Sequence, residues 1–108
     1  MSRYCLTYDA KDSNAWEPDQ LRLEIAKVLI EAGAVNLISP VASTIVFEDD
    51  TDNNRIKFWN NLIGEKFMYV IYYYLCLVSI VSKTKENNDR IEGDVALNRG
   101  FQELLSEL

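Results

Sequence analysis

The chain has 108 residues, with 11 basic and 17 acidic side chains, a formal net charge of -6 and no histidine. That length supports one domain with a core of its own, needing no metal or disulfide staples. The missing histidine excludes hydrolases built on an imidazole base, zinc enzymes with imidazole ligands and two-Cys two-His fingers, and the acidic balance opposes a broad, sequence-independent grip on phosphate backbones.

In chain order, Tyr4, Leu6 and Tyr8 alternate, which predicts a first strand over Ser2 to Ala10, followed by a polar loop from Lys11 to Asn14. Pro18 suits the first turn of a helix, with Glu17 and Asp19 near its positive end and Trp16 as a hydrophobic staple ahead of it. Leu21, Ile25, Val28, Leu29 and Ala32 then repeat at helical spacing until Gly33, a C-terminal stop. Ala34 to Ile38 and Val41 to Phe47 read as the two strands of a hairpin that turns at Ser39 and Pro40.

The acidic run Glu48, Asp49, Asp50 and Asp52 breaks the apolar pattern as a solvated loop, and offers capping side chains for a helix from about Asn53. The apolar face of that helix is Ile56, Trp59, Leu62, Ile63 and Phe67. The run Phe67 to Val81 is shorter than the roughly 18 apolar residues of a membrane-spanning helix, and its β-branched and aromatic content predicts a closing strand over Met68 to Val81. It exceeds the usual strand length of roughly 5 to 6 residues, so it is expected to bend, split or extend past its sheet. Residues 82–93 read as a polar linker. Residues 94–108 read as a last helix capped by Asp94, with Leu97, Phe101, Leu104, Leu105 and Leu108 on one stripe weakened by Gly100.

The order β-α-β-β-α-β over residues 1–81 is the split βαβ, or ferredoxin-like, arrangement. The expected fold is therefore an α+β sandwich with a four-stranded antiparallel sheet and an extra C-terminal helix. Both long helices would pack on one sheet face. The other face and the apolar last strand then need cover from the terminal helix or from a second copy, and a homodimer is the expectation. Cys5 and Cys76 lie inside apolar runs and read as two inert core thiols in a reduced interior. The start, MSRYCLTYDA, lacks a basic n-region and a long apolar h-region, so no signal peptide is read and a cytoplasmic location without membrane contact is expected.

The Tyr-Asp at the end of the first strand (YCLTYDA, Asp9), the helix after it, the hairpin whose second strand reads STIVFE (Ser43 to Glu48), the second helix and the closing strand together resemble the CRISPR-associated Cas-two family. They are similar also to its smaller relatives, including the ferredoxin-fold antitoxin ribonucleases. The resemblance spans residues 2 to about 81. It implies a dimer in which the strand-end aspartates of two subunits face each other and, in nuclease-active members, hold a divalent metal that activates water against a phosphodiester. Asp9 is the matching residue. The resemblance thus implies Asp9 as catalytic residue and metal ligand, magnesium or manganese as the ion, and a metal-dependent, endoribonuclease-like activity or another role connected with nucleic acid or defence. Carboxylate oxygens suit such hard cations.

In the expected topology the start of the third strand approaches Asp9, so the hydroxyls of Ser43 and Thr44 are candidate groups to orient a carboxylate or a bound water. The acidic run lies at the opposite end of the sheet, about 20 Å from Asp9, and one copy cannot bring the two together. An aspartate at a strand end also suits a turn residue that bonds its own loop backbone. The alternative function is a non-catalytic module of the same fold that binds a protein partner through Asp49, Asp50 and Asp52. Tyr69, Tyr72, Tyr73 and Tyr74 read as packing residues, with base stacking as the alternative. No glycine-rich phosphate loop is present, which excludes P-loop nucleotide hydrolysis.

Overall fold

The computed structural model describes residues 1–78 and 94–108. The chain forms β1 (Ser2–Ala10), α1 (Pro18–Glu31), β2 (Val35–Val41), β3 (Thr44–Asp49), α2 (Ile56–Phe67), β4 (Ile71–Val78) and α3 (Val95–Leu105). The strands make one antiparallel sheet in the order β2-β3-β1-β4. This is the α+β ferredoxin-like sandwich with an additional C-terminal helix.

Alternation along β1 decides the two faces. Tyr4, Leu6 and Tyr8 are buried toward the helices, in register with Phe47 and Ile45 of β3 and with Leu77, Leu75 and Tyr73 of β4. Leu21, Ile25 and Leu29 of α1 and Trp59, Ile63 and Phe67 of α2 close this core, each fully buried large side chain contributing roughly 1.5–3 kcal/mol. Phe47 meets the Trp59 ring edge-on at 5.0 Å and stacks with Tyr4 at 5.4 Å.

The end of α1 follows from Gly33, whose φ of 104° frees the chain to reverse. Its amide donates to the Ile30 carbonyl and the Ala34 amide to the Leu29 carbonyl, the paired bonds of a Schellman cap. The hairpin is displaced from the expected position. Ser39 and Pro40 lie within β2, and the chain turns at Ala42 and Ser43 instead. Proline is tolerated there because β2 is an edge strand with an irregular register to β3. Similarly, α2 starts at Ile56, where the Asn54 side chain accepts from the Ile56 amide, and none of the acidic run caps it. The closing strand starts at Ile71, since Met68, Tyr69 and Val70 form the turn out of α2. Its expected extension over residues 79–81 and the linker 82–93 lie outside the described residues.

The last helix takes its predicted cap, with Asp94 Oδ1 accepting from the Leu97 amide. It docks beside β2 and α1. Phe101 is fully buried, Asn98 Oδ1 accepts from the Ser39 amide at 3.0 Å, and Gln102 Nε2 donates to the Leu37 carbonyl at 2.7 Å. These side chains satisfy the outer edge of β2, which would otherwise offer a free ladder. Under the helix lies the buried Arg22, bonded to Asp19 and to Ser39 Oγ and set 5.2 Å from the Phe101 ring centroid. Among the described residues no helix is long and apolar enough to cross a membrane.

Candidate functional site

The residues of β1 that point away from the helices are Arg3, Cys5, Thr7 and Asp9. Their neighbours across the open face are Thr44, Val46 and Glu48 of β3 and Tyr72, Tyr74, Cys76 and Val78 of β4. A row of apolar and thiol side chains, Ile38, Val46, Cys5 and Cys76, crosses the middle of this face in register. Polar groups flank the row on both sides. Thr7 Oγ1 lies 3.4 Å from Thr44 Oγ1, and Glu48 Oε1 accepts from Asn36 Nδ2 at 3.1 Å.

Asp9 is exposed near the end of β1, opposite Tyr72. Among the described residues its carboxylate has no hydrogen-bond or ion-pair partner, so the turn-type bond to its own loop backbone is not made. A cleft of about 200 Å³ opens beside it, bounded by Ser43 from the β2–β3 turn, by Asn14 and Trp16 from the loop after β1, and by Pro18 and Leu21 from α1. Asn14 fixes the loop by accepting from the Trp16 amide and donating to the Trp16 carbonyl. Trp16 and Leu21 thus share one wall, the arrangement expected of a staple ahead of Pro18. Tyr8 lines the same cleft, and burial pushes its hydroxyl up to about 12.

Ser43 and Asp9 line the same cleft, and the Tyr8 amide beside Asp9 donates to the Ser43 carbonyl at 2.9 Å. Thr44 stands on the open face opposite Thr7, one step back from the cleft. One chain does not complete a metal site, for among the described residues no three His, Cys, Asp or Glu side chains are grouped to hold an ion. The donors present, an unpartnered carboxylate and a nearby hydroxyl, are hard oxygens, and a second copy would double them.

Asp49 was expected in a solvated acidic loop and is instead 1% exposed at the end of β3. Its carboxylate accepts from Trp59 Nε1 at 2.8 Å, the Thr51 amide at 2.9 Å and Arg55 Nη1 at 3.3 Å. Alternation with the buried Ile45 and Phe47 turns Asp49 inward once β3 extends to it, and the facing Trp59 indole supplies its partner. The rest of the run divides, with Asp52 paired to the N-terminal ammonium and its carboxyl held low by that contact. The register Ser2 to Asp49 and Thr7 to Thr44 keeps this end of the sheet away from Asp9.

The tyrosines also part ways. Tyr73 faces α2 and donates to Asn60, while Tyr72 and Tyr74 stand 66% and 71% exposed on the open face. The cysteines are not core thiols. Both are half-buried on the open face, directly opposite each other. Burial raises the Cys5 thiol, partly opposed by a hydrogen bond with the Thr7 side chain. Fold and rim together define a ferredoxin-like sandwich with one sheet face that no described helix covers and an exposed strand-end aspartate. No family model, curated protein or solved structure matches the chain.

Proposed function

We propose that the protein is a cytoplasmic homodimer of Cas-two-like type, joined through the open sheet faces, in which Asp9 of each copy holds one shared divalent cation, magnesium or manganese, and the substrate is a phosphodiester of RNA or DNA. The observation that carries this reading is the Asp9 carboxylate itself, exposed and, among the described residues, without a hydrogen-bond or ion-pair partner, on the sheet face away from the helices. The row Ile38, Val46, Cys5 and Cys76 supports a face-to-face contact, since its half-buried members Ile38, Cys5 and Cys76 still hold apolar or thiol surface to bury beside the already buried Val46. When bound, the ion supplies a polarised water and charge neutralisation at the phosphate. Asp9 provides the ligating oxygens, and Ser43 is placed to orient a water at the cleft. Thr44, held against Thr7, positions the start of β3 directly after the turn that carries Ser43.

A labelled single-stranded or duplex RNA or DNA, incubated with magnesium or manganese, tests the reading. Cleavage is expected for the wild type and is lost in Asp9→Ala, while circular dichroism and sedimentation show the same folded dimer.

One observation favours a second reading, a non-catalytic module that binds a protein partner: among the described residues no lysine or arginine lines the cleft beside Asp9. Its acidic surface excludes the buried Asp49 and rests on Asp50 and Asp52. It predicts no cleavage at all, indifference to Asp9→Ala, and weakened partner binding in the Asp50→Asn, Asp52→Asn double variant.

A further inference from the structure

Cys5 and Cys76 occupy directly opposed positions on adjacent antiparallel strands. Opposed residues in such a ladder have Cα atoms about 4.5 or 5.5 Å apart, according to whether the pair is hydrogen-bonded. Both spacings fall within the range of about 4.4–6.8 Å that a disulfide spans. Alternation puts both side chains on the same face, and both are half-buried, neither sealed in the core nor remote from solvent. Chain separation is no obstacle, because the sheet already holds the two positions together.

We propose that Cys5 and Cys76 form a dithiol modification site that closes reversibly into an intrachain, cross-strand disulfide by exchange with a low-molecular-weight disulfide such as oxidised glutathione. One protein thiolate attacks a glutathione sulfur, breaking the glutathione disulfide and releasing one glutathione thiolate, which takes up a proton. The second protein thiolate then attacks the protein sulfur of the mixed disulfide and expels the other glutathione, which is protonated in turn. Two protein thiols are oxidised, one glutathione disulfide is reduced, and the two protons end on the two released thiols.

The bond ties the edge strand β4 to β1 near the far end of the described part of β4. It constrains the unfolded chain over a loop of roughly 70 residues, and a rise in Tm on the order of 20 °C is expected on oxidation. The site goes beyond the functional reading above and does not need it. Oxidation proceeds through the free chain, so a face-to-face dimer slows the exchange without changing its end point.

The test is intact-mass analysis after incubation with oxidised glutathione at pH 8.5 and quenching with iodoacetamide, followed by peptide mapping and a melt with and without reductant. The expected product has lost two hydrogens, takes up no iodoacetamide, yields a linked Cys5–Cys76 peptide pair and melts higher than the reduced chain. Cys5→Ser and Cys76→Ser each carry a single glutathione and keep the reduced Tm. Two free thiols, two separate glutathione adducts on the wild type, or a disulfide joining two chains would overturn the proposal. The oligomeric state, read separately by sedimentation, decides the dimer reading and leaves this one untouched.

Discussion

Replacing Asp49 with alanine tests whether the core depends on a buried carboxylate that the surrounding acids disguise. The substitution removes the acceptor of Trp59 Nε1 at 2.8 Å, of the Thr51 amide at 2.9 Å and of Arg55 Nη1 at 3.3 Å. Trp59 is 1% exposed, so its indole N–H is left without water or partner, at about 1–3 kcal/mol. The Thr51 amide lies nearer the surface, and losing its bond costs about 1 kcal/mol. The Arg55 side chain is 39% exposed, and solvent screening keeps its share below about 1 kcal/mol. The sum is about 3 kcal/mol, a fall in Tm on the order of 15 °C for a domain of this size. Asp49→Asn retains one acceptor oxygen and should lose about half as much. Urea unfolding followed by circular dichroism measures both. A double-mutant cycle with Trp59→Phe should return a coupling of about 1–2 kcal/mol. If Asp49→Ala unfolds within about 0.5 kcal/mol of the wild type, the hydrogen bonds carry no net stability and the reasoning fails.

Three further outcomes follow from the same structure. Gly33→Ala meets no neighbouring atom but must hold φ at 104°, so a loss of about 1–2 kcal/mol in urea melts is expected from the backbone alone. Phe101→Ala empties a fully buried site between α1 and α3, and should cost about 3 kcal/mol while hydrogen exchange at the Ser39 amide, held by Asn98, accelerates. Burial raises the Tyr8 hydroxyl to about 12 when folded, against about 10 when unfolded. A raised folded pKa means that the stabilisation is intact below pH 10 and is lost as the pH climbs toward 12. Thermal melts should therefore fall over that window, less steeply in Tyr8→Phe.

Much of the fold was legible because periodicity and burial agree. Tyr4, Leu6 and Tyr8 alternate and are all buried; Leu21, Ile25 and Leu29 recur at helical spacing and face the sheet. Local pattern puts the hairpin turn at Pro40, a turn former in isolation, whereas an edge strand tolerates it. The real turn at Ala42 and Ser43 carries no such residue. Met68 to Val70 depart from their local pattern for the opposite reason. Apolar and aromatic residues announce a strand, but α2 needs a turn before the chain can re-enter the sheet beside β1. At the rim, the exposure of Asp9 and the approach of Ser43 follow from strand order alone. The inward turn of Asp49 is in phase with Ile45 and Phe47 but needs β3 to run two residues further than its apolar pattern, and its Trp59 partner and the Cys5–Cys76 pairing depend on which residue faces which across the fold.

The central claim is that two copies share one cation through Asp9, and counting bound manganese measures it most directly. Titration of the dimer, followed by the loss of the free-ion electron paramagnetic resonance signal, should saturate at one ion per two chains. Asp9→Asn should abolish that binding while the dimer persists in sedimentation. One ion per chain, or binding unchanged in Asp9→Asn, would contradict the account.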